Sequence, residues 1–578
     1  MSDAPSEDYI VRRVLGSHLL ITILVTLSVT LNIVINSLVV GNFLGSDALA
    51  VFGLSSPVLI LFSAISGIFG NGGTFVCARH LSSGDDRAIR NNFSATMLVS
   101  FIAAIVLTAV LVVAAPLLAD LLGEGGELAS MAEGYIACLG LSVVPMILSQ
   151  NLLLYVRMDG GQKLALVSMV ATVIADAVVA VYSATSGIGI AGVGLAIGIS
   201  STVGGLICAL HFCRTDRKVG FCRPTDIKAE MRSVVSAGLP TAINRGSQTL
   251  KNLVLNAFLL GTVGTVAVVS LSVQTSIYQF TIAICTGYGI MVATMCGMFY
   301  GERDKRSMES TLRVCVRSGL IVSIIVAIPG MLLSGPIASL FIEDGGDLDS
   351  AAQAVRLFMI SLPTSTVCMI LLYMYQTLGN LTMSNAISLT RGFLYVVLFS
   401  ILLYPVIGVE AVWLSFVAAD ILSILTITVI IRIKTGMFPR SFGDFILAPR
   451  GFEGVTEICS ISVANDMGDV IDLSRRIDDI CIEKGVDEKR ANKIALCIEE
   501  MAGNVVRFAF PDGKKHFIDI RVLMQDGDLI FRMRDDGVAF NPLLEDSEDH
   551  YGIRVVRATA KDIAYSNSSG LNILTVVV

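Results

Sequence analysis

The sequence predicts a mostly α-helical membrane protein of twelve helices in two six-helix repeats, followed by a C-terminal α+β domain. Of its 578 residues, 54% are hydrophobic and 15% are charged, with a mean hydropathy of +0.75. These values lie outside the usual range of soluble domains. Long apolar runs alternate with short polar gaps from about residue 15 to 433, whereas residues 456–578 have the charge density of a soluble domain.

Composition and cysteine spacing also argue against several kinds of partner, site and signal sequence. A formal net charge of −7 without any Lys/Arg-rich tract indicates that nucleic acid is not a partner. The twelve cysteines are scattered, mostly inside apolar segments, and form no CxxC pair, so neither a disulfide framework nor a zinc site is predicted. The first apolar run, Leu19 to Leu44, is too long for a signal-peptide core and is predicted to remain as a membrane helix.

Twelve runs of about 20 apolar residues, the length that crosses a bilayer, are predicted as membrane helices. Our estimates are 18–44, 50–78, 93–119, 131–156, 164–186, 190–212, 234–260, 265–299, 312–341, 353–376, 386–405 and 408–432. The predicted organisation is an N-terminal tail (1–14), an N-lobe (15–213), a linker (214–233), a C-lobe (234–433), a second linker (434–455) and the C-terminal domain (456–578).

The gaps between these runs fall into two sets that alternate along the chain. Six gaps, near 45–49, 120–130, 186–190, 261–265, 342–352 and 404–409, contain no Lys or Arg. The other gaps carry the basic residues, among them Arg79, Arg157, Arg217, Lys305 and Arg432. Because positive residues accumulate on the cytoplasmic side of a membrane, the second set and both termini are predicted to be cytoplasmic, in a bacterial inner membrane.

The membrane part repeats itself at an offset of 218 to 220 residues. The pairs are Asn36 and Asn256, Asp85 and Asp304, Pro145 and Pro363, Gly160 and Gly379, and Gly189 and Gly408. Glycines and prolines mark helix ends in any membrane protein, but that does not explain a nearly constant offset. Six helices per repeat give both halves the same orientation, related by an axis along the membrane normal. Two such lobes around a midplane cavity are an architecture of secondary transporters.

Four motifs carry a family resemblance: GSDALA at 45–50, ARHLSSGD at 78–85, GIGIAGVGLA at 187–196 and GVEAVWLS at 408–415. With them, residues 15–433 resemble a multidrug and toxin extrusion (MATE) transporter. The resemblance implies efflux of small organic, often cationic, compounds across the lipid bilayer in exchange for Na⁺ or H⁺. Two alternatives are a lipid-linked flippase of the same superfamily, whose cavity needs a wider basic lining than Arg245 and Lys251 supply, and a non-transporting sensor with a kinase-like output.

Asp176 lies in the middle of an apolar helix. An ionised Asp there costs roughly 2.5–3.5 kcal/mol on insertion scales, so it is expected to face a cavity or a cation. The alternative is an Asp that pairs with a neighbouring helix for packing. The resemblance assigns Asp176 to an N-lobe cation site with Asn36, which stands where the family has a second Asp. Thr172 and Ile197 stand at two further positions of that site.

The seventh predicted helix carries a polar face. Gln248, Lys251, Asn252 and Asn256 recur at spacings of three and four. Lys251 is expected either to hold the cavity positive or to form an ion pair with Asp176 or Asp420. Arg245 either joins this face or extends toward a membrane interface. The candidate transport and cation residues are therefore Asp176, Asn36, Gln248, Lys251, Asn256 and Asp420.

Residues 456–578 predict an α+β sandwich. Strands are expected at 457–463, 517–524, 528–534 and 571–578, with helices at 467–484, 487–509 and 552–561. Glu500 and Asn504 lie four apart on the second of these helices, hence on one face. The strand at 528–534 leads into DDGVAFNP at 535–542, and Gly552 follows.

This pattern resembles the Bergerat-type (GHKL) ATPase fold of gyrases and histidine kinases, most closely the anti-sigma-factor serine kinases. The resemblance implies that Asn504 holds Mg²⁺, Glu500 is catalytic, and Asp535 binds the adenine of ATP, with Gly537 and Gly552 allowing close approach. It also implies an anti-anti-sigma-like protein partner. Ala539, His550 and an acidic lid (545–549) depart from the family pattern. The alternative is a degenerate module that only binds a partner. One such domain without a P-loop is not expected to drive transport.

Overall fold

The computed structural model describes residues 9–83, 85–123, 127–215, 217–341, 346–447, 454–539, 541, 551–568 and 570–578. Its first part is a bundle of twelve main helices, which form an N-lobe (α1–α6) and a C-lobe (α7–α12), with a short helix, Ser334–Ala338, between α9 and α10. Their bounds are α1 Tyr9–Leu54, α2 Ser56–Ser66 continued through Gly67–Asn71 to Gly72–Ser83, α3 Asp86–Gly123, α4 Glu127–Met158, α5 Gln162–Thr185, α6 Ile190–Ala209, α7 Ile227–Thr262, α8 Thr265–Gly301, α9 Lys305–Leu332, α10 Gly346–Met359 with Leu362–Thr377, α11 Leu381–Leu389 continued through Thr390–Leu394 to Tyr395–Ile407, and α12 Glu410–Thr435.

Hydropathy and length together qualify ten helices of the described chain as membrane spans, or eleven if the two parts of α10, bent by 49°, form one span. Of the twelve predicted membrane helices, α7 is the one that does not qualify. Its 36 residues are long enough to cross a bilayer, but it carries Asn244, Arg245, Gln248, Lys251 and Asn252 along its middle. A polar face on a spanning helix is stable when it lines a cavity or packs within the bundle.

Matching landmarks at corresponding places confirm the two repeats. Asp85 accepts a hydrogen bond from the Ala88 amide (2.9 Å) at the start of α3, and Asp304 accepts one from the Ser307 amide (3.0 Å) at the start of α9. Both carboxylates therefore cap the third helix of their lobe in the same way. Gly160 and Gly379 also share a positive φ, 79° and 72°, after the fourth helix of each lobe.

The lobes approach each other closely where α2 crosses α7. A Cβ added at Gly72 would overlap the Val234 carbonyl, and one added at Gly238 would overlap the Ile68 carbonyl. Only glycine allows the two backbones to approach this closely. This crossing lies in the half of the bundle whose connecting loops carry the basic residues.

After the short helix α13 (Phe442–Phe445), the C-terminal domain forms a five-stranded antiparallel sheet in the order β1-β2-β3-β5-β4. Its elements are β1 Val455–Ala464, α14 Met467–Glu483, α15 Glu488–Phe508, β2 Phe517–Gln525, β3 Asp528–Asp535, α16 Tyr551–Thr559, β4 Asp562–Ser568 and β5 Leu571–Val577. The helices pack on one face of the sheet, which confirms the predicted α+β sandwich.

Strand β4 was not among the predicted elements, and the predicted helix at 552–561 ends two residues earlier. The segment Asp562–Ser568 places only Ile563 and Tyr565 against the core. It pairs with β5 alone, at the edge of the sheet. A short edge strand that is polar at most positions lacks the alternation that makes a strand recognisable.

Successive side chains of a strand point to opposite faces of the sheet, and the two faces of this sheet contact different parts of the molecule. Ile520, Phe531 and Leu574 face the helices of their own domain. Leu571 and Ile573 face the other way and belong to the apolar core of the membrane bundle. The C-terminal domain is therefore packed against the transmembrane helices.

Candidate functional site

Asp176 is completely buried in the N-lobe and accepts hydrogen bonds from two side chains. Asn36 Nδ2 on α1 donates to Asp176 Oδ2 at 2.6 Å, and Ser200 Oγ on α6 donates to Oδ1 at 3.1 Å. The other amide atom, Asn36 Oδ1, is buried and has no hydrogen-bond partner among the residues that the structure describes. The structure thus brings the predicted pair Asp176 and Asn36 together, and an oxygen beside the carboxylate is available to a small cation.

The corresponding part of the C-lobe holds an ion pair. Arg391 Nε on α11 binds Asp420 Oδ1 on α12 at 2.6 Å, and both side chains are buried. Ser365 Oγ donates to the second oxygen of Asp420 at 2.5 Å. Position 391 is offset by 219 residues from Thr172 and position 420 by the same number from Ser201. The two lobes therefore use different chemistry at related positions.

Lys251 lies beside this pair without joining it. Its Nζ is 4.6 Å from the centroid of the Phe416 ring and 5.3 Å from that of Tyr278. In the described part of the chain no carboxylate lies within ion-pair distance of Lys251. Of the two predicted roles for Lys251, this geometry favours the one that keeps the cavity positive.

A cavity of about 1040 Å³ lies between the lobes. Helices of both lobes supply its polar lining, which includes Gln150, Arg157, Asn244, Arg245 and Gln248. Gln248 also lines a smaller cavity of about 300 Å³ that contains Lys251 and Asp420. Gln248 thus links the predicted polar face to the C-lobe ion pair, whereas Asn256 is exposed and lines neither cavity.

A pocket of about 420 Å³ lies between α15 and the sheet of the C-terminal domain. It is mostly apolar, with Asp535 at the end of β3 and Asn504 on α15 among its polar lining residues. Asp535 Oδ1 accepts hydrogen bonds from Asn572 Nδ2 at 2.8 Å and from the Gly537 amide at 2.9 Å. Burial raises the pKa of the Asp535 carboxyl to about 6, although these two hydrogen bonds oppose the shift.

The two predicted glycines fit closely around α15. A Cβ at Gly537 would lie 2.5 Å from the Ala509 Cβ, and a Cβ at Gly552 would overlap the Glu500 carboxylate. The Nδ2 atom of Asn504 is buried without a hydrogen-bond partner among the described residues. Mostly apolar walls with one buried carboxylate acceptor, Asp535, fit a purine base. The predicted acidic lid, 545–549, and His550 lie outside the described residues.

A buried charge cluster joins the C-terminal domain to the membrane bundle. Arg534 on β3 binds Glu302 and, at 2.6 Å, Asp304 in the turn between α8 and α9. Its guanidinium also lies 4.7 Å from the centroid of the Phe299 ring. Arg521 on β2 lies 3.5 Å from Asp304. Burial would raise the pKa of Asp304, but the two guanidinium groups dominate and hold it well below its usual value.

Three consecutive residues at the end of β3, 534–536, contact different parts of the molecule. Arg534 faces the C-lobe, and Asp535 faces the pocket. Asp536 Oδ2 accepts a hydrogen bond from Arg13 Nε on α1 at 2.8 Å. Its second oxygen lies 3.0 Å from His516 Nδ1. The end of one strand thus contacts the C-lobe, the pocket and the N-lobe in turn.

Comparison with known proteins bears on both parts of the chain. The MatE family profile matches residues 21–182 and 240–402, one stretch in each lobe and together more than half of the 578 residues. The chain belongs to the MatE family. A second profile, described as the histidine kinase-like ATPase domain, matches residues 463–578. The resemblance of the membrane part to MATE transporters and that of the C-terminal domain to histidine kinase-like ATPases are therefore confirmed, and the chain is a multi-pass membrane protein.

Relatives and solved structures of the MatE domain agree with its fold. The multidrug export protein MepA of Staphylococcus saprophyticus is 20% identical over 405 residues, 68% of this chain and 88% of that protein. A crystal structure of MATE in complex with MaL6 matches with a TM-score of 0.67 at 20% identity, over 72% of this chain and 94% of that one. A structure from Pyrococcus furiosus, titled for the reverse polarity of its binding pocket, matches with the same TM-score, identity and coverage.

Four residues at the sites of the two domains were missed or misplaced from the sequence. Ser200 and Asn572 were not singled out, although Asn572 is a polar residue in the otherwise apolar strand β5. Arg157 was predicted to lie in a cytoplasmic loop, but it belongs to the last turn of α4 and lines the central cavity. Arg391 is not among the candidate residues named from the sequence, because its pairing with Asp420 depends on the rotation of two helices, which the sequence does not give.

Proposed function

We propose that this chain is a secondary active efflux transporter for small organic compounds, driven by Na⁺ or H⁺. The observation that carries the proposal is the large cavity between two repeat-related lobes of the MatE fold. A relative named as a multidrug export protein supports it. Dye efflux from vesicles containing the purified full chain, under imposed Na⁺ or H⁺ gradients, tests it. A folded protein that moves no dye under either gradient would instead favour the non-transporting sensor.

Asp176 is the residue we propose to carry the coupling ion. Asp176→Asn is expected to reduce gradient-driven efflux about tenfold or more, because an amide neither binds a proton nor carries the charge that holds Na⁺. Folding should persist, since the new amide oxygen can still accept from Ser200, and the new NH2 group can donate to Asn36 Oδ1 once the Asn36 amide flips. Initial efflux rates in vesicles, with and without each gradient, measure the effect.

Glu133→Gln provides the matched control, because Glu133 is an exposed carboxylate on α4 of the same lobe. It should leave efflux and its gradient dependence unchanged. Unaltered efflux in Asp176→Asn, with normal pH and Na⁺ dependence, would show that the carboxylate serves helix packing alone.

We further propose that both termini are cytoplasmic, as the distribution of basic loops favours. Cys213 and Cys222 are exposed near the inter-lobe linker. In intact cells a membrane-impermeant maleimide should not label them until the membrane is permeabilised. With both replaced by serine, Ser186→Cys in the loop 186–190 should label from outside. The opposite labelling pattern would contradict the whole topology.

The C-terminal domain is proposed to bind Mg-ATP. The residues present fit the base of a nucleotide. Asp535 would accept from the adenine amino group, Asn572 would hold that carboxylate in place, and Asn504 on α15 would hold Mg²⁺. ATP would supply a phosphoryl group to any reaction at this site, with Glu500 placed to orient an attacking hydroxyl. An anti-anti-sigma-like protein is the partner that the resemblance implies for such a reaction.

We propose that nucleotide binding regulates the transporter through contacts with both lobes. The domain binds α1 of the N-lobe through Arg13 and Asp536, and the α8–α9 turn of the C-lobe through Arg534, Glu302 and Asp304. The C-terminal domain is attached to both lobes on the side of the bundle where α2 crosses α7. It therefore opposes separation of the lobes on that side. Alternating access requires such movement, so a nucleotide that shifts the domain would change the transport rate.

A further inference from the structure

The central cavity contains two arginines and no acidic residue among its described lining. Arg157 comes from α4 of the N-lobe and Arg245 from α7 of the C-lobe. Neither guanidinium has a carboxylate within ion-pair distance in the described part of the chain. In contrast, Asp420 binds Arg391, and Glu302 and Asp304 bind Arg534. The donor groups of both cavity arginines are therefore free to meet a ligand.

Charges behind the cavity wall reinforce its positive sign. Gln248 separates the central cavity from the smaller one, which contains Lys251, Arg391 and Asp420. When Lys251 is ionised, the two cations and one anion carry one net positive charge. Lys251 packs against aromatic rings, which stabilise its ammonium group without neutralising it.

The N-lobe carboxylate does not offset these charges at the cavity surface. Asp176 is fully buried, and it lines neither the central cavity nor the neighbouring N-lobe cavity of about 870 Å³. Asn36 and Ser200 occupy both of its oxygens with hydrogen bonds. A ligand in the central cavity therefore meets the arginines first.

An uncompensated guanidinium in a low-dielectric cavity repels a cation and attracts an anion. Its planar row of donors matches the two oxygens of a carboxylate, sulfonate or phosphate group. The apolar part of the lining, which includes Leu153, Leu154, Ile282 and Ile290, suits an organic body attached to that group.

We propose that the central cavity selects amphipathic organic anions, held by Arg157 and Arg245, and disfavours organic cations. This proposal names the substrate class of the transport pathway and rests on the proposed function for the pathway itself. The anionic group is carried either on a soluble compound or on a lipid, and both sources present the same chemistry to the two arginines.

Direct binding tests the selectivity independently of transport. The purified full chain in detergent is titrated into carboxyfluorescein, an anionic dye, or ethidium, a cationic dye, and fluorescence anisotropy is recorded. Carboxyfluorescein should bind saturably. Arg157→Gln and Arg245→Gln should each raise its Kd about tenfold or more, the effect of losing one charged hydrogen bond. Arg157→Lys and Arg245→Lys should weaken binding less, and Arg475→Gln, on the exposed surface of α14, should not change it.

Tighter binding of ethidium than of carboxyfluorescein, or no binding of carboxyfluorescein to the folded protein, overturns the proposal. Vesicles then distinguish the two sources. Efflux of trapped carboxyfluorescein that is lost in Arg245→Gln identifies soluble anions. Movement of fluorescent phosphatidylserine between leaflets, lost in the same variant, identifies anionic lipids. Arginine-dependent binding without either movement supports the cavity's selectivity while rejecting the proposed transport function.

Discussion

Arg534→Met is expected to detach the C-terminal domain from the membrane helices while leaving each part folded. The substitution leaves Glu302 and Asp304 in the interface without their main counter-charge. Removing one partner of a buried ion pair costs about 3–5 kcal/mol, far more than the loss of a surface pair. A loss of docking free energy of this size is expected. The apolar contacts of Leu571 and Ile573 remain, so the loss comes from the charges alone.

Cross-linking across the interface measures this detachment. Arg303 and Asp526 form an exposed pair at 3.6 Å, so Arg303→Cys and Asp526→Cys should disturb docking little. With Cys213 and Cys222 replaced by serine, a bis-maleimide should join the two new cysteines. Cleavage in the exposed stretch 436–440 then leaves the halves linked. Arg534→Met should abolish most of the linked product.

Arg475→Met removes an exposed arginine from α14 of the same domain and should preserve the linked product. Asp304→Asn combined with Arg534→Met should cost less than the sum of the single changes, because both remove the same interaction. A cross-linking yield in Arg534→Met equal to that of the unmodified interface would mean that apolar packing alone holds the domain.

Asp535→Asn is expected to remove most of the ATP affinity of the full chain. The Asp535 carboxylate can accept a strong hydrogen bond from the adenine amino group. In the variant, the single amide oxygen would accept from Asn572, and the NH2 group, a donor, would point toward the base. Hydrogen bonds to charged groups contribute about 1.5–3 kcal/mol, so a loss of roughly 10- to 150-fold in affinity is expected. Titration calorimetry with Mg-ATP measures it, and any ATP effect on dye efflux should disappear in parallel.

Acidity provides a second test of the same carboxylate. The pKa of Asp535 is about 6, so the group is ionised at neutral pH and becomes protonated as the pH falls through 6. ATP affinity should therefore weaken below pH 6. Asp562→Asn, at an exposed position of β4, is the control and should bind normally. The absence of saturable heat at millimolar ATP in the folded chain would favour the module that binds only a protein partner.

The architecture of the membrane part was predictable because its determinants are local. Hydropathy and the 219-residue offset identify helices and repeats without any knowledge of packing. The pairing of Asn36 with Asp176 followed from a family resemblance and was then seen in the structure. Ser200 could not be placed in the same way, since small polar residues are common in α6 and only the rotation of that helix selects one.

The docking surface was not predictable for a different reason. Arg532 and Arg534 alternate along β3 with apolar residues, the pattern of a strand with one solvated face. Their partners in the α8–α9 turn lie about 230 residues away in sequence. Nothing local distinguishes an arginine that faces water from one that meets Glu302, so the interface emerged only from the tertiary structure.

The shared core of Leu571 and Ile573 with the membrane bundle has a practical consequence for dissecting the protein. A fragment that starts near residue 455 would expose these two side chains beside Arg521, Arg532 and Arg534. In solution such a surface would attract acidic peptides or a second copy of the fragment. The excised domain should therefore self-associate in a salt-dependent way, and the truncated membrane part should present Glu302 and Asp304 to water as a new acidic patch.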